Sequence, residues 1–112
     1  MVSVEKSEVQ AIVYMTIQEF KRQGLLRDRY SIILREVEPV IKDYFFKKNN
    51  STIQKFLIDF SDHEYIDIIY LHYRDELTIV EIAGIMGKDE STIKRNKKKL
   101  IMEIYNRLEG ER

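Results

Sequence analysis

Between Leu77 and Leu100 the chain reads Leu-Thr-Ile-Val-Glu-Ile-Ala-Gly-Ile-Met-Gly-Lys-Asp-Glu-Ser-Thr-Ile-Lys-Arg-Asn-Lys-Lys-Lys-Leu. No other stretch constrains the fold as much. Ile79, Ile82, Ala83 and Met86 recur at helical spacing, and Gly87 supplies the left-handed residue that ends such a helix. Asp89 then offers a carboxylate to the free amides of a second helix beginning at Glu90. The spacing predicts a helix, a tight turn and a second helix. Ala83 stands where the two axes must cross closely, and Ile93 is the apolar anchor of the second helix.

The second helix concentrates positive charge. Lys88, Lys94, Arg95, Lys97, Lys98 and Lys99 stand against only Asp89 and Glu90, a local excess of +4 in a chain whose net charge is +0. A lysine-rich run by itself is usually a solvated helix face. Behind a helix and a glycine turn, it lies on the element that enters a DNA groove in helix-turn-helix proteins, where phosphate can find it.

Further residues carry a family resemblance. Asp67-Ile68-Ile69, Leu71, Tyr73, Leu77-Thr78, Glu81-Ile82-Ala83, Met86-Gly87, Ser91-Thr92-Ile93 and Leu100 resemble, in that order, the fourth domain of bacterial sigma factors. That is the domain that recognises the promoter −35 element. The short sigma-like regulators of phages and mobile elements are similar. The resemblance covers Tyr65 to Leu108, about two fifths of the chain. It departs from the family at Lys88, where an apolar residue usually follows the turn glycine, and at Glu76, where glycine is common. The resemblance implies a C-terminal sigma-like helix-turn-helix that binds double-stranded DNA. It implies base reading by Glu90, Ser91, Lys94 and Arg95, and phosphate contacts from Thr78, Thr92, Lys97 and Lys98.

Composition sets the frame. A chain of 112 residues with 44% hydrophobic content suits one small domain with a modest core. There is no cysteine, which excludes a disulfide frame and a thiolate zinc site. No apolar run has membrane-spanning length, so a cytoplasmic setting is the default expectation. Four glycines, a single proline and few alternating stretches point to an all-α fold.

In chain order, Val9, Ile12, Val13, Ile17 and Phe20 predict a helix over Val4–Gln23, stopped by Gly24-Leu25. A second helix opens near Asp28 and runs to about Lys48. Pro39 interrupts it, but the apolar spacing passes through without a slip, so one bent helix is expected rather than two. Asn49-Asn50 marks a hinge between an N-terminal helical region, 1–50, and a sigma-like region, 51–112. Ser51 with Gln54, and Ser61 with Glu64, read as capping boxes, the second opening a central helix over Asp62–Arg74.

Catalytic chemistry finds little footing. His63 and His72 read as a capping-turn residue and a core-edge residue rather than metal ligands. Asp59, Asp62, Glu64 and Asp67 read as carboxylates around a first helical turn, where the helix dipole favours them. No phosphate-cradling glycine loop or nucleophile elbow is present, so a non-enzyme without cofactor is expected. Twelve aromatic residues mostly fall on core stripes; Tyr44-Phe45-Phe46 is too wide for one, and an exposed member there suggests a helix partner or dimer contact.

The expected function is therefore a sequence-specific transcription regulator of the phage or mobile-element activator type, which also touches RNA polymerase. The alternative is a protein-binding module that engages RNA polymerase or an anti-sigma partner without reading DNA, and a third reading is a DNA-packaging recognition subunit. Past the basic run, Leu100, Ile101, Ile104, Tyr105 and Leu108 continue an apolar stripe that needs a cover. Either the N-terminal helices fold over it or a second copy does. A homodimer through Ile101, Ile104, Tyr105 and Leu108 is the favoured expectation, because small helix-turn-helix proteins gain affinity by spanning two half-sites.

Overall fold

A computed structural model of the chain describes residues 28–47 and 49–111. The described elements are all helical: α1 (Arg29–Lys47), α2 (Ser51–Asp59), α3 (Asp67–Ile69), α4 (Ile79–Met86) and α5 (Glu90–Gly110), with a π-helical turn, Tyr70–Arg74, continuing α3. The all-α expectation holds. The chain divides into two compact units, Met1–Ile32 and Ile33–Arg112, with the division inside α1. The helix expected over Val4–Gln23, with its Gly24-Leu25 stop, lies outside the described residues. In the first unit the described part is the start of α1, where an Asp28 carboxylate oxygen accepts the Ser31 amide at 2.8 Å.

In the second unit α1 runs through Pro39 as a single helix, as expected, with Ile33, Val37 and Ile41 buried along one side. The cap of α2 lies one residue earlier than expected. Asn50, not Ser51, accepts the Ile53 amide at 3.0 Å, and a side chain in extended backbone just before the first turn is the geometry capping requires.

The larger correction is the central helix, which opens at Asp67 rather than Asp62. Residues 61–66 form a chain of tight turns, in which Ile66 bonds back to His63 and Ile68 to Tyr65. His63 competes with a helical start because its Nδ1 accepts the Tyr65 amide at 3.0 Å, a local side-chain bond that holds a turn. The same helix loosens at its other end: the Asp75 amide bonds to Tyr70 five residues back, and Leu77 reaches Leu71. Glu76, with φ 58°, makes the exit. Because the turn at 61–66 is not helical, Asp59, Asp62 and Glu64 are not first-turn residues. Asp59 instead accepts from Arg107 at 2.8 Å, and Glu64 faces Lys88 at 3.8 Å.

The core has a centre at Ile68, Ile82, Ala83 and Ile93, with Leu71, Leu77 and Met86 packed against it. Further along, α5 packs on α2. There the Arg107 guanidinium lies over the rings of Phe56 and Phe60, and the Thr52 hydroxyl donates to the Glu111 carboxylate. Ile101 and Ile104 are fully buried, while Tyr105 and Leu108 are half-buried. Of the four residues expected at a contact between copies, Ile101 and Ile104 are therefore buried within the chain. Among the described residues, no helix is long and apolar enough to cross a membrane.

Candidate nucleic-acid interface

The candidate site is the pair α4 and α5 with the turn between them. Its placement starts at Thr78, whose hydroxyl accepts the Glu81 amide at 3.2 Å while Glu81 accepts the Thr78 amide at 3.1 Å. The Thr78 hydroxyl also donates to the same carboxylate at 3.0 Å. This reciprocal capping box fixes where α4 begins. The Thr78 hydroxyl, expected on phosphate, is exposed and engaged within the chain by this box. The Thr-x-x-Glu spacing that would have revealed it is present in the sequence.

At its other end α4 stops on Gly87, at φ 66°, with the Lys88 amide reaching back to the Ala83 carbonyl at 3.1 Å. This six-to-one bond is the Schellman closure, which normally carries an apolar contact from the residue after the glycine. Lys88 supplies none; it turns outward, exposed, toward Glu64. The direction of α5 is then set by Asp89, as the sequence predicts: a carboxylate oxygen accepts the Thr92 amide at 2.7 Å and the Ser91 hydroxyl at 3.0 Å. The side-chain and backbone bonds from Thr92, then the Ser91 bond, hold the Asp89 carboxyl below the usual range. Ile93, fully buried against Ile82 and Ala83, anchors the helix.

With the buried side of α5 fixed by Ile93 and Leu100, helical geometry turns the basic residues outward. Glu90, Ser91, Lys94, Arg95 and Lys98 are exposed, and Thr92 is half-buried. Lys97 departs from the set. It was expected on phosphate, yet its side chain is only 13% exposed, with Nζ 3.8 Å from a Glu38 carboxylate oxygen and 5.8 Å from the centre of the Tyr73 ring. Burial, and to a lesser degree the charge of Lys42, push its pKa down against the pull of Glu38. Glu38 also accepts the Tyr73 hydroxyl at 2.8 Å. Lys97 is thus a strut between α5, the π-helical turn and α1 rather than part of the exposed cationic face.

His72 sits at the edge of this junction, half-buried, with Nδ1 2.8 Å from the Leu77 carbonyl and therefore protonated on that nitrogen as donor. Burial lowers its pKa, more than the Leu77 bond raises it. Neither Glu38 nor its junction was singled out in the sequence, since a glutamate on a helix gives no sign of which distant cation it meets.

The site is defined at the level of class: an all-α chain that presents a capped, basic helix behind a glycine turn. Comparison with known proteins finds no matching family, curated relative or solved structure.

Proposed function

We propose that the chain is a sequence-specific DNA-binding transcription regulator, of the sigma-like activator type found in phages and mobile elements, with α5 as the helix that enters the major groove. The observation that carries this reading is the exposure of Lys94, Arg95 and Lys98 on the outer face of a helix whose inner face is fixed by Ile93 and whose start is fixed by Asp89. Rigid presentation matters because base reading depends on side chains arriving at set positions along the groove. Arg95 and Lys94 can each donate to guanine O6 and N7, Ser91 and Glu90 stand at the leading end, and Lys98 with Thr92 meets phosphate. Selection of duplexes from a random pool by purified protein, followed by titration across salt, tests this. Enrichment of one motif is expected; salt-sensitive binding without preference would leave only a basic surface.

A second reading has its own support. A groove of about 730 Å³ runs between the π-helical turn and the end of α4, lined by Tyr65, Leu71, Ile85 and Met86 together with the charged Glu64, Asp67, Arg74 and Lys88, and Ile85 is 62% exposed. Exposed apolar surface beside a groove suits a protein partner, RNA polymerase or an anti-sigma protein among them. Binding to RNA polymerase with no affinity for any duplex would favour this reading over the first.

A further inference from the structure

We propose that the DNA-binding surface continues from α5 onto α1, where Lys42 and Lys47 hold phosphates of the strand that borders the groove occupied by α5. The inference rests on the DNA-binding reading above. A helix about 10 Å across nearly fills a major groove about 12 Å wide, so whatever packs against the flank of that helix comes up against the phosphates walling the groove. α1 occupies such a flank. Around α5, Lys94 lies three residues before Lys97 on the same side of the helix, and Lys97 is where α5 touches Glu38 of α1. Lys42 stands one helical turn beyond Glu38 and is exposed. Lys94 of α5 and Lys42 of α1 therefore lie on adjoining surfaces, joined at Lys97.

Lys42 and Lys47 line one groove of about 440 Å³ together with Phe45, Phe46 and Arg74. Arg74 is already held by Asp75 through two bonds, at 2.9 and 3.0 Å. Lys42 and Lys47 form no ion pair with any described residue. Beside them Phe46 is 86% exposed, the most exposed large apolar side chain described. Two ammonium groups with no ion pair among the described residues, next to a solvent-facing ring, match the sugar-phosphate backbone, which offers a charge at every step. Asp43 and Glu76 also line the groove and oppose this charge, which gives the test a variant of each sign.

The test is binding of the full chain to two duplexes, one trimmed to the motif it selects and one extended by a helical turn on each side. On the extended duplex, Lys42→Ala with Lys47→Ala is expected to weaken binding about tenfold and flatten the salt slope by about two, one phosphate for each lysine. On the trimmed duplex the change should be small. Asp43→Asn should tighten binding to the extended duplex, an effect that loss of folding cannot imitate. Equal affinities and slopes for wild type and both variants, with Arg95→Ala still impaired, would confine the footprint to α5 and overturn the proposal while leaving the DNA-binding reading intact. Absence of duplex binding by the wild type would overturn both. If Phe46→Ser converts a dimer into a monomer without altering affinity, the patch is a contact between copies and the proposal fails.

Discussion

The ammonium of Lys97 lies 3.8 Å from the Glu38 carboxylate and is nearly enclosed, so one of the six cations around the basic helix is structural. Its neighbour Lys98 is exposed. Lys97→Met, which keeps the stem against Tyr73 but leaves the Glu38 carboxylate without its cation, should leave the salt slope of DNA binding unchanged and lower stability by about 1–3 kcal/mol. Lys98→Ala should flatten the slope by about one. Thermal melts paired with salt titrations of both variants separate the two roles.

Stability should fall with pH on the acid side of neutrality through His72. Burial, opposed by its bond to the Leu77 carbonyl, makes the folded chain bind the His72 proton less tightly than the unfolded chain, with Lys97 and Lys42 disfavouring the proton and Glu38 favouring it. A histidine with a lowered folded pKa contributes fully above the ordinary value of about 6.5, and that contribution declines as pH drops through it until the folded side chain also protonates. Denaturant midpoints between neutral pH and mildly acidic pH should therefore decline in wild type, and decline less steeply in His72→Gln.

Two residues with positive φ bracket α4, Glu76 at 58° and Gly87 at 66°. A side chain costs about 1–2 kcal/mol in this region, part of which glycine gives back through its freer unfolded chain. Glu76→Gly should accordingly stabilise the protein by about 0.5 kcal/mol. Gly87→Ala should destabilise it by about 1 kcal/mol through strain alone, since a methyl group there meets no neighbour within 4 Å. Urea unfolding of the two variants measures both signs.

Ile104 decides between a core and an interface. Fully buried in the single chain, it should behave as a core residue: Ile104→Ala should cost about 2–4 kcal/mol at any protein concentration, and Ile104→Asp should prevent folding. A midpoint for Ile104→Ala that rises with concentration would instead mark the stripe as a contact between copies.

What is legible in the sequence is what depends on near neighbours. The stop at Gly87, the cap at Asp89 and the burial of Ile82, Ala83 and Ile93 follow from spacing alone, and the structure places each as read. The passage of α1 through Pro39 follows from an apolar stripe that keeps its period. Ser61 and Glu64 have the spacing of a capping box and so predict a longer central helix, but His63 diverts the Tyr65 amide into a turn. Its π-helical end depends on the backbone leaving through Glu76. Pairings between distant residues, Glu38 with Lys97 and Asp59 with Arg107, escape the sequence for a different reason: each charge alone looks like any solvated charge. Hence the sequence alone places Lys97 with the exposed cations around it.

The proposed reading of bases by the exposed face of α5 is tested most directly by the base preference of Arg95→Ala beside that of Lys98→Ala, each profiled against every single-base change in the selected motif. Arg95→Ala should lose discrimination at one base pair, at a cost of about 1–3 kcal/mol, while Lys98→Ala weakens all sequences alike. Identical profiles for the two variants, or a wild type with no preferred motif, would contradict base reading by this helix.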